Sequence, residues 1–262
     1  MERRGMTARA CRRTAAAILT IALAAAGMSA AAEETLAAYN TYQAVPFVVD
    51  KGGLAADVVA YLNTKLKGKY KLQLENVPRK KLNETIEADA NFKGVVLFLN
   101  PMFVNDADKK KFYWTPSFLS DANAVISPAA KKVEYSDPAS LNGLRFAGVV
   151  GNRYAGLEER FGKELQREDV TEELSNLKKI ASGRADVTIM PFSTYRFLLK
   201  QLGSQSPLSS TLYVSQKPHA KFDRFIFVSK NDAALGKELD AVVAGMKSDP
   251  AWKAVLSRYD LE

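Results

Sequence analysis

Short apolar runs of strand length alternate with apolar stripes at helical spacing along most of this chain, and that alternation restricts its fold more than any other feature. Residues 35–39 read as a first strand. Leu54, Val58, Leu62 and Leu66 then fall at i, i+4, i+8 and i+12, the inner face of a helix. Alternation over 70–75 predicts a second strand, Leu82 and Ile86 mark a helix after Pro78, and the run 94–99 has the unbroken apolar character of a strand covered on both faces. Residues 122–127 form a further extended segment. A second block opens at Pro138, with a strand over 144–150 and a helix from about Ala155. The stripe Leu174, Leu177, Ile180, Ala181 stops at Gly183, a strand follows over 186–190, and a helix over 193–202 ends at Gly203. A strand over 222–228, a helix carrying Leu235, Leu239, Val242 and Met246, and a last helix with Pro250 in its first turn complete the chain. Strands alternating with helices predict βαβ units, hence mainly parallel sheets flanked by helices. The two blocks meet at Ser127-Pro128 without a flexible linker, which fits a rigid two-lobed α/β body. In such sheets a ligand sits at the carboxyl ends of the strands.

Residues 1–32 stand apart. Arg3, Arg4, Arg9, Arg12 and Arg13 precede a 13-residue apolar run, 15–27, and Ala30-Ala31-Ala32 follows. Basic region, short apolar core and small residues are the pattern of a secretory signal peptide, here expected to be cut after Ala32, with a periplasmic product. The run falls short of the roughly 20 residues that span a bilayer. The leader holds five Arg and one Glu, so of 37 basic and 29 acidic side chains 32 and 28 remain, a net charge of +4. That weak excess gives no reason to expect nucleic acid as a partner, and Lys109-Lys110-Lys111 reads as a solvated turn.

The chemistry of many enzyme classes is missing. The one cysteine, Cys11, lies in the leader, and the one histidine, His219, excludes paired-histidine zinc motifs; no metal or cofactor is expected. There is no phosphate-binding G-x-x-x-x-G-K-[ST] loop, no G-x-G-x-x-G and no G-x-S-x-G elbow. Glu158-Glu159 and Glu172-Glu173 are adjacent pairs on helices whose members point in different directions, so both read as solvated faces rather than acid/base dyads.

Four segments in order carry a resemblance that covers residues 33–262. Pro46-Phe47, with Asp50-Lys51-Gly52 and the helix of Leu54 behind it, is the first; Phe112-Tyr113-Trp114-Thr115-Pro116-Ser117-Phe118 is the second. The third is Leu141-Asn142-Gly143 through Gly151-Asn152, and the fourth Leu177 through Gly183-Arg184-Ala185-Asp186. Together they resemble the bacterial extracytoplasmic solute-binding proteins of the polar amino-acid uptake family, the type II periplasmic-binding fold. The resemblance implies two lobes, 33–127 plus 221–262 and 128–220, joined by two crossing strands and closing by a hinge on a small solute. It implies a monomer that delivers its solute to an inner-membrane ABC permease and is not an enzyme. The chain departs from the family pattern in three places: the turn that carries a carboxylate-gripping Arg reads Asn105 to Lys110, the position of an ammonium-binding Asp is Pro191, and Ala44-Val45 replaces a tyrosine before Pro46.

The candidate contacts follow from these positions. Tyr42 and Phe103 are aromatic walls on lobe-one loops, and Asn100 ends the third strand. Lys110 stands in for the missing Arg as a point charge. Asn152 and Arg153 occupy a strand-to-helix turn suited to an anion. Ser193 is either a neutral hydrogen-bond partner or a helix cap. Arg224, on the last strand, offers a hinge salt bridge or a ligand contact. A small polar or anionic, amino-acid-like solute fits this set. Two alternatives are a solute sensor or partner-binding module, and a dehydratase-like enzyme; the enzyme calls for a buried carboxyl in the cleft, for which Asp186 and Glu158 are the nearby groups.

Overall fold

The apolar pattern translates into a computed structural model that describes residues 33–89 and 91–261; the leader, Cys11 and the cut after Ala32 lie outside the described residues. The first block folds as β1 (Glu34–Asn40), α1 (Leu54–Leu66), β2 (Tyr70–Asn76), α2 (Arg79–Ala88), β3 (Val95–Leu99), β4 (Phe112–Trp114) and β5 (Leu119–Pro128). The second supplies β6 (Phe146–Val149), α3 (Leu157–Phe161), β7 (Arg167–Val170), α4 (Glu173–Ala181), β8 (Val187–Pro191), α5 (Phe192–Leu202), α6 (Leu208–Thr211) and β9 (Leu212–Val214). β10 (Ala220–Ser229), α7 (Ala233–Met246) and α8 (Pro250–Tyr259) return to the first. α8 starts where Asp249 accepts a bond from the Ala251 N–H and Pro250 takes the first turn.

The strands form one ten-stranded sheet in the order β2-β1-β3-β10-β5-β8-β6-β7, with β4 added to β10 and β9 to β5. β1 pairs with β2 and β3 in parallel at one end, and β6 with β7 and β8 in parallel at the other. Between them β5 and β10 run antiparallel to each other and to their outer neighbours. β10 spends its second half on β3 and β4 and its first half, Ala220 to Arg224, on β5; β5 continues onto β8 and β9. These two strands thus pass from one lobe to the other.

Each lobe is a sheet covered on both faces. Leu54, Val58 and Leu62 of α1, Leu235 and Leu239 of α7 and Trp252 of α8 bury one face of the β1–β3–β10 sheet, and Leu82 and Ile86 of α2 with Phe92 and Phe227 bury the other. In the second lobe Leu177, Ile180 and Leu198 pack on one face of β5, β6 and β8, and Leu141, Tyr154, Leu157 and Phe161 on the opposite one.

Several elements escape the sequence pattern. β4 and β9 are three residues each, and β7 reads Arg167-Glu168-Asp169-Val170, a charged edge strand with no apolar alternation to betray it. The helix expected from Ala155 shrinks to the five residues of α3, which ends at Gly162 with φ +52°. No helix among the described residues is long and apolar enough to cross a membrane.

Candidate functional site

The crossing strands meet over a buried ion pair. On β10, Phe222 faces Asp121 of β5 and Arg224 faces Leu119, so Arg224 and Asp121 are diagonal neighbours across the ladder. Arg224 Nη2 lies 2.6 Å from Asp121 Oδ2, and the two side chains are 0% and 2% exposed. The guanidinium is sheathed by aromatic rings, its Cζ standing 4.5 Å from the ring of Tyr42, 4.6 Å from Phe47 and 4.9 Å from Phe222. Asp121 also reaches the second lobe: it accepts bonds from Ser193 Oγ (2.7 Å) and from the Ser193 N–H (3.2 Å) at the start of α5. Of the two roles open to Arg224 in the sequence, the structure shows the salt bridge, made with Asp121. Ser193 is not the cap of α5, a position held by Pro191; the carboxylate of Asp121 caps that helix from outside.

A β-bulge re-aims the chain beside this pair. Phe225 opposes Leu99 and Phe227 opposes Val96, so β3 carries one extra residue there, and Phe98 takes φ +66°. A positive φ on a buried aromatic residue costs on the order of 1–3 kcal/mol and is typical of functional sites. Beyond the bulge, Asn100 donates from Nδ2 to the Asp223 carbonyl (3.0 Å) and accepts from the Met102 N–H (3.0 Å), tying the end of β3 to β10. Phe103 is 41% exposed, its ring 5.5 Å from Phe222, and its carbonyl accepts from Arg79. Tyr42 stacks 4.8 Å from Phe47. The Phe47 turn leaves no room at Gly53, where φ is +111° and a Cβ would stand 2.5 Å from the Phe47 carbonyl oxygen. Gly53→Ala is expected to cost about 1–3 kcal/mol in urea titration and to disturb the Tyr42–Phe47 wall.

In the second lobe the carboxyl end of β6 gathers Asn152, Tyr154, Glu173 and Asn176. The Val149 N–H donates to the Tyr154 hydroxyl oxygen (3.0 Å), the Asn152 side chain also bonds that hydroxyl, and Asn176 Nδ2 donates to the Gly148 carbonyl (3.0 Å). Glu173, the first residue of α4, is only 8% exposed, while Glu172 beside it is exposed. The adjacent acidic pair is therefore not a solvated face at its second member. Burial pushes the Glu173 carboxyl up to about 7 against the lowering effect of Asn176. Burial, and then the charge of Glu173, push the Tyr154 hydroxyl up to about 12.

Other expected contacts are engaged elsewhere. The anion donors at the Asn152–Arg153 turn are taken by the chain itself: the Tyr154 N–H donates to Glu158 (2.8 Å) and the Gly156 N–H to Glu159 (2.6 Å), and Arg153 sits on the surface 3.5 Å from Glu159. Lys110 is exposed and lies 3.1 Å from Asp108. Its turn is organised by buried Asp106, which accepts from the Lys110, Lys111 and Phe112 N–H groups and from Trp114 Nε1. Burial opposes the Asp106 charge, but Trp114 and those N–H groups outweigh it and hold the carboxyl below its ordinary range. Of the two carboxyls named for an enzyme, Asp186 is held well below the carboxylate range by Arg145, despite the cost of burial, with Lys131 assisting. Glu158 is bonded to the Tyr154 N–H and to Arg167 (3.1 Å).

A cavity of about 440 Å³ opens beside the ion pair, lined by Asp121, Ser193, Arg196, Lys221 and Phe222. A groove of about 810 Å³ runs between α7, α8 and residues 116–120. Among the described residues no group of three or more His, Cys, Asp or Glu is placed to hold a metal ion. His219 points Nε2 at the Ala155 carbonyl (2.8 Å) and packs 5.6 Å from the Tyr135 ring.

No family model and no curated protein sequence matches the chain. Solved structures do. An ancestral amino acid-binding protein, described as a precursor of cyclohexadienyl dehydratase, superposes with a TM-score of 0.62 at 14% identity, over 87% of this chain and 96% of that one. The substrate-binding protein of an amino acid ABC transporter gives a TM-score of 0.58 at 15% identity, over 86% and 98%. A Salmonella typhimurium periplasmic binding protein of high arginine specificity gives 0.59 at 13% identity, again over 86% and 98%. With the parallel ends, the antiparallel crossing strands and the two double-faced cores, these likenesses establish that the chain has the two-lobed type II periplasmic-binding-protein fold.

Proposed function

We propose that this protein is the exported capture component of an ABC-type uptake system. It holds a small polar, amino-acid-like solute in the crevice between lobe one, 33–127 plus 221–262, and lobe two, 128–220, acts as a periplasmic monomer and hands the solute to an inner-membrane permease. The observation that supports the reading is the pair of crossing strands: β5 and β10 join two lobes whose cores meet at Phe197 of α5 and at Val45, and residues of both lobes meet on the strands through Asn100 and Ser193. Tyr42, Asn100 and Phe103 are the proposed contacts from lobe one, and Asn152 is the first from lobe two. Neighbouring folds that are described as binding arginine or amino acids support the solute class.

Closure follows from contacts made by one solute with both lobes, which stabilise the closed arrangement. A thermal-shift panel of L-arginine, L-glutamine, L-glutamate, putrescine and succinate tests the reading. A true ligand at a hundred times its Kd stabilises by about 2.7 kcal/mol. A panel without a single shift counts against the proposal. Several bonds join the lobes, among them Ser193 to Asp121, Arg196 to Asp260 (2.7 Å) and Thr194 Oγ1, which donates to the Val45 carbonyl (2.7 Å). Thr194→Val removes the last of these, and with a bond of this kind worth about 0.5–1.5 kcal/mol, solute affinity is expected to fall several-fold in calorimetric titration.

A second reading has one observation in its favour. Glu173 is a buried carboxyl raised to about 7, the acid a dehydratase on this scaffold requires. Turnover of prephenate that disappears in Glu173→Gln supports it; no turnover removes it.

A further inference from the structure

Two acceptor atoms at the carboxyl end of β6 lack a direct hydrogen-bond partner, although the Asn176 side chain lies close enough to Glu173 to lower its carboxyl. Glu173 Oε2 and Asn176 Oδ1 are buried without a hydrogen-bond partner among the described residues, in side chains 8% and 0% exposed. They sit at i and i+3 on α4, and so share a helix face. Asn176 cannot relieve the shortage by turning its amide over, because its Nδ2 is committed to the Gly148 carbonyl. Leaving a buried polar atom unpaired is costly, and more so when the group is charged. Two together, one of them a carboxyl, mark a place for a donor: in the empty protein the carboxyl's own proton is at hand to serve, and ionisation takes it away.

The neighbouring cations are spent. Arg167 pairs with Glu158 (3.1 Å) and Asp169 (2.6 Å) and lies over the Tyr154 ring, and Lys179 pairs with Glu168 (3.1 Å). The remaining polar neighbours, Tyr154 and Asn152, are neutral. Position adds to the argument, since the end of a parallel strand in an open sheet is where ligands enter. A water supplies donors but does not draw the carboxyl into its charged form. A cationic nitrogen does both.

We propose that Glu173 and Asn176 form the lobe-two subsite for a cationic nitrogen of the solute, a primary ammonium or a guanidinium group. This rests on the solute-binding reading and narrows it to amine-bearing solutes. With no solute the carboxyl holds a proton, and the solute's nitrogen takes that proton's place. Binding therefore releases a proton, and affinity rises with pH up to about neutrality.

The test is calorimetric titration of the purified protein and of Glu173→Gln with L-arginine, L-glutamine, putrescine and succinate at pH 6 and pH 8, alongside melting temperatures without solute. The expected result is that an amine-bearing compound binds the unaltered protein more tightly at pH 8. Glu173→Gln then loses at least tenfold in affinity and most of the pH dependence, yet melts no lower at pH 8. A residue that merely supported the fold would lower the melting temperature instead. Equal affinity in the two proteins, or binding of succinate alone, overturns the inference and leaves the binding-protein reading standing. Binding of no compound overturns both, and prephenate turnover dependent on Glu173 overturns the inference in favour of an acid catalyst.

Discussion

Asp121→Ala is expected to cost about 3–5 kcal/mol in denaturant titration. The variant leaves Arg224 charged and fully buried, with the Phe98 carbonyl 3.5 Å away and aromatic faces around it. It also strips the Ser193 N–H at the head of α5 of its acceptor. The penalty is that of an orphaned charge rather than the worth of the pair, since exchanging both partners of a buried pair for apolar residues of similar volume is often neutral or better. Asp121→Leu combined with Arg224→Met is therefore expected to recover most of the loss, and the double-mutant cycle reports the coupling. A loss under 1 kcal/mol for Asp121→Ala would mean that the hinge is held by something else.

The second large effect runs with pH. Folding raises the Glu173 carboxyl from 4.5 to about 7, so the folded chain binds more protons than the unfolded one between those values. Its stability contribution is fully present below about pH 4.5 and is lost as pH rises through about 7, a decline of about 3 kcal/mol. Asp106 and Asp186 behave oppositely. Both carboxyls are depressed in the fold, so their contributions are present above the ordinary carboxylate range and vanish only as pH falls below it. The two windows scarcely overlap. Urea midpoints between pH 5.5 and 8.5 should fall for the unaltered protein and stay level for Glu173→Gln, which ends as the more stable of the two at pH 8. Parallel curves would mean that Glu173 is not buried as a carboxyl. A residue whose removal stabilises the fold is one that folding alone does not explain.

How far the sequence discloses this molecule depends on whether the signal is local. The stripe from Leu54 to Leu66 and the Asp249-Pro250 start of the last helix give the bounds of α1 and α8, because spacing and caps are local properties. The apolar run of β3 gives a strand for the same reason. β4, β7 and β9 are too short or too charged to leave a pattern, and they exist because a neighbouring strand offers an edge. The site divides likewise. Tyr42 and Asn100 are proposed from their places just beyond β1 and β3, which topology supplies. Asp121 reads as one more polar residue until the β5–β10 register sets it diagonal to Arg224. Glu173 is indistinguishable in sequence from exposed Glu172, and only the packing of α4 against β6 separates them. At the turn that follows Asn152-Arg153 the Tyr154 and Gly156 N–H groups are taken by Glu158 and Glu159 from the chain's own first helical turn.

Capture of a solute between two hinged lobes is decided by a crystal structure of the protein grown with the tightest-binding member of the solute panel. The solute is expected between the ends of β1 and β3 and the end of β6, touching Tyr42 or Asn100 on one side and Glu173 on the other. A solute lodged in the groove between α7 and α8, or touching one lobe alone, would contradict it.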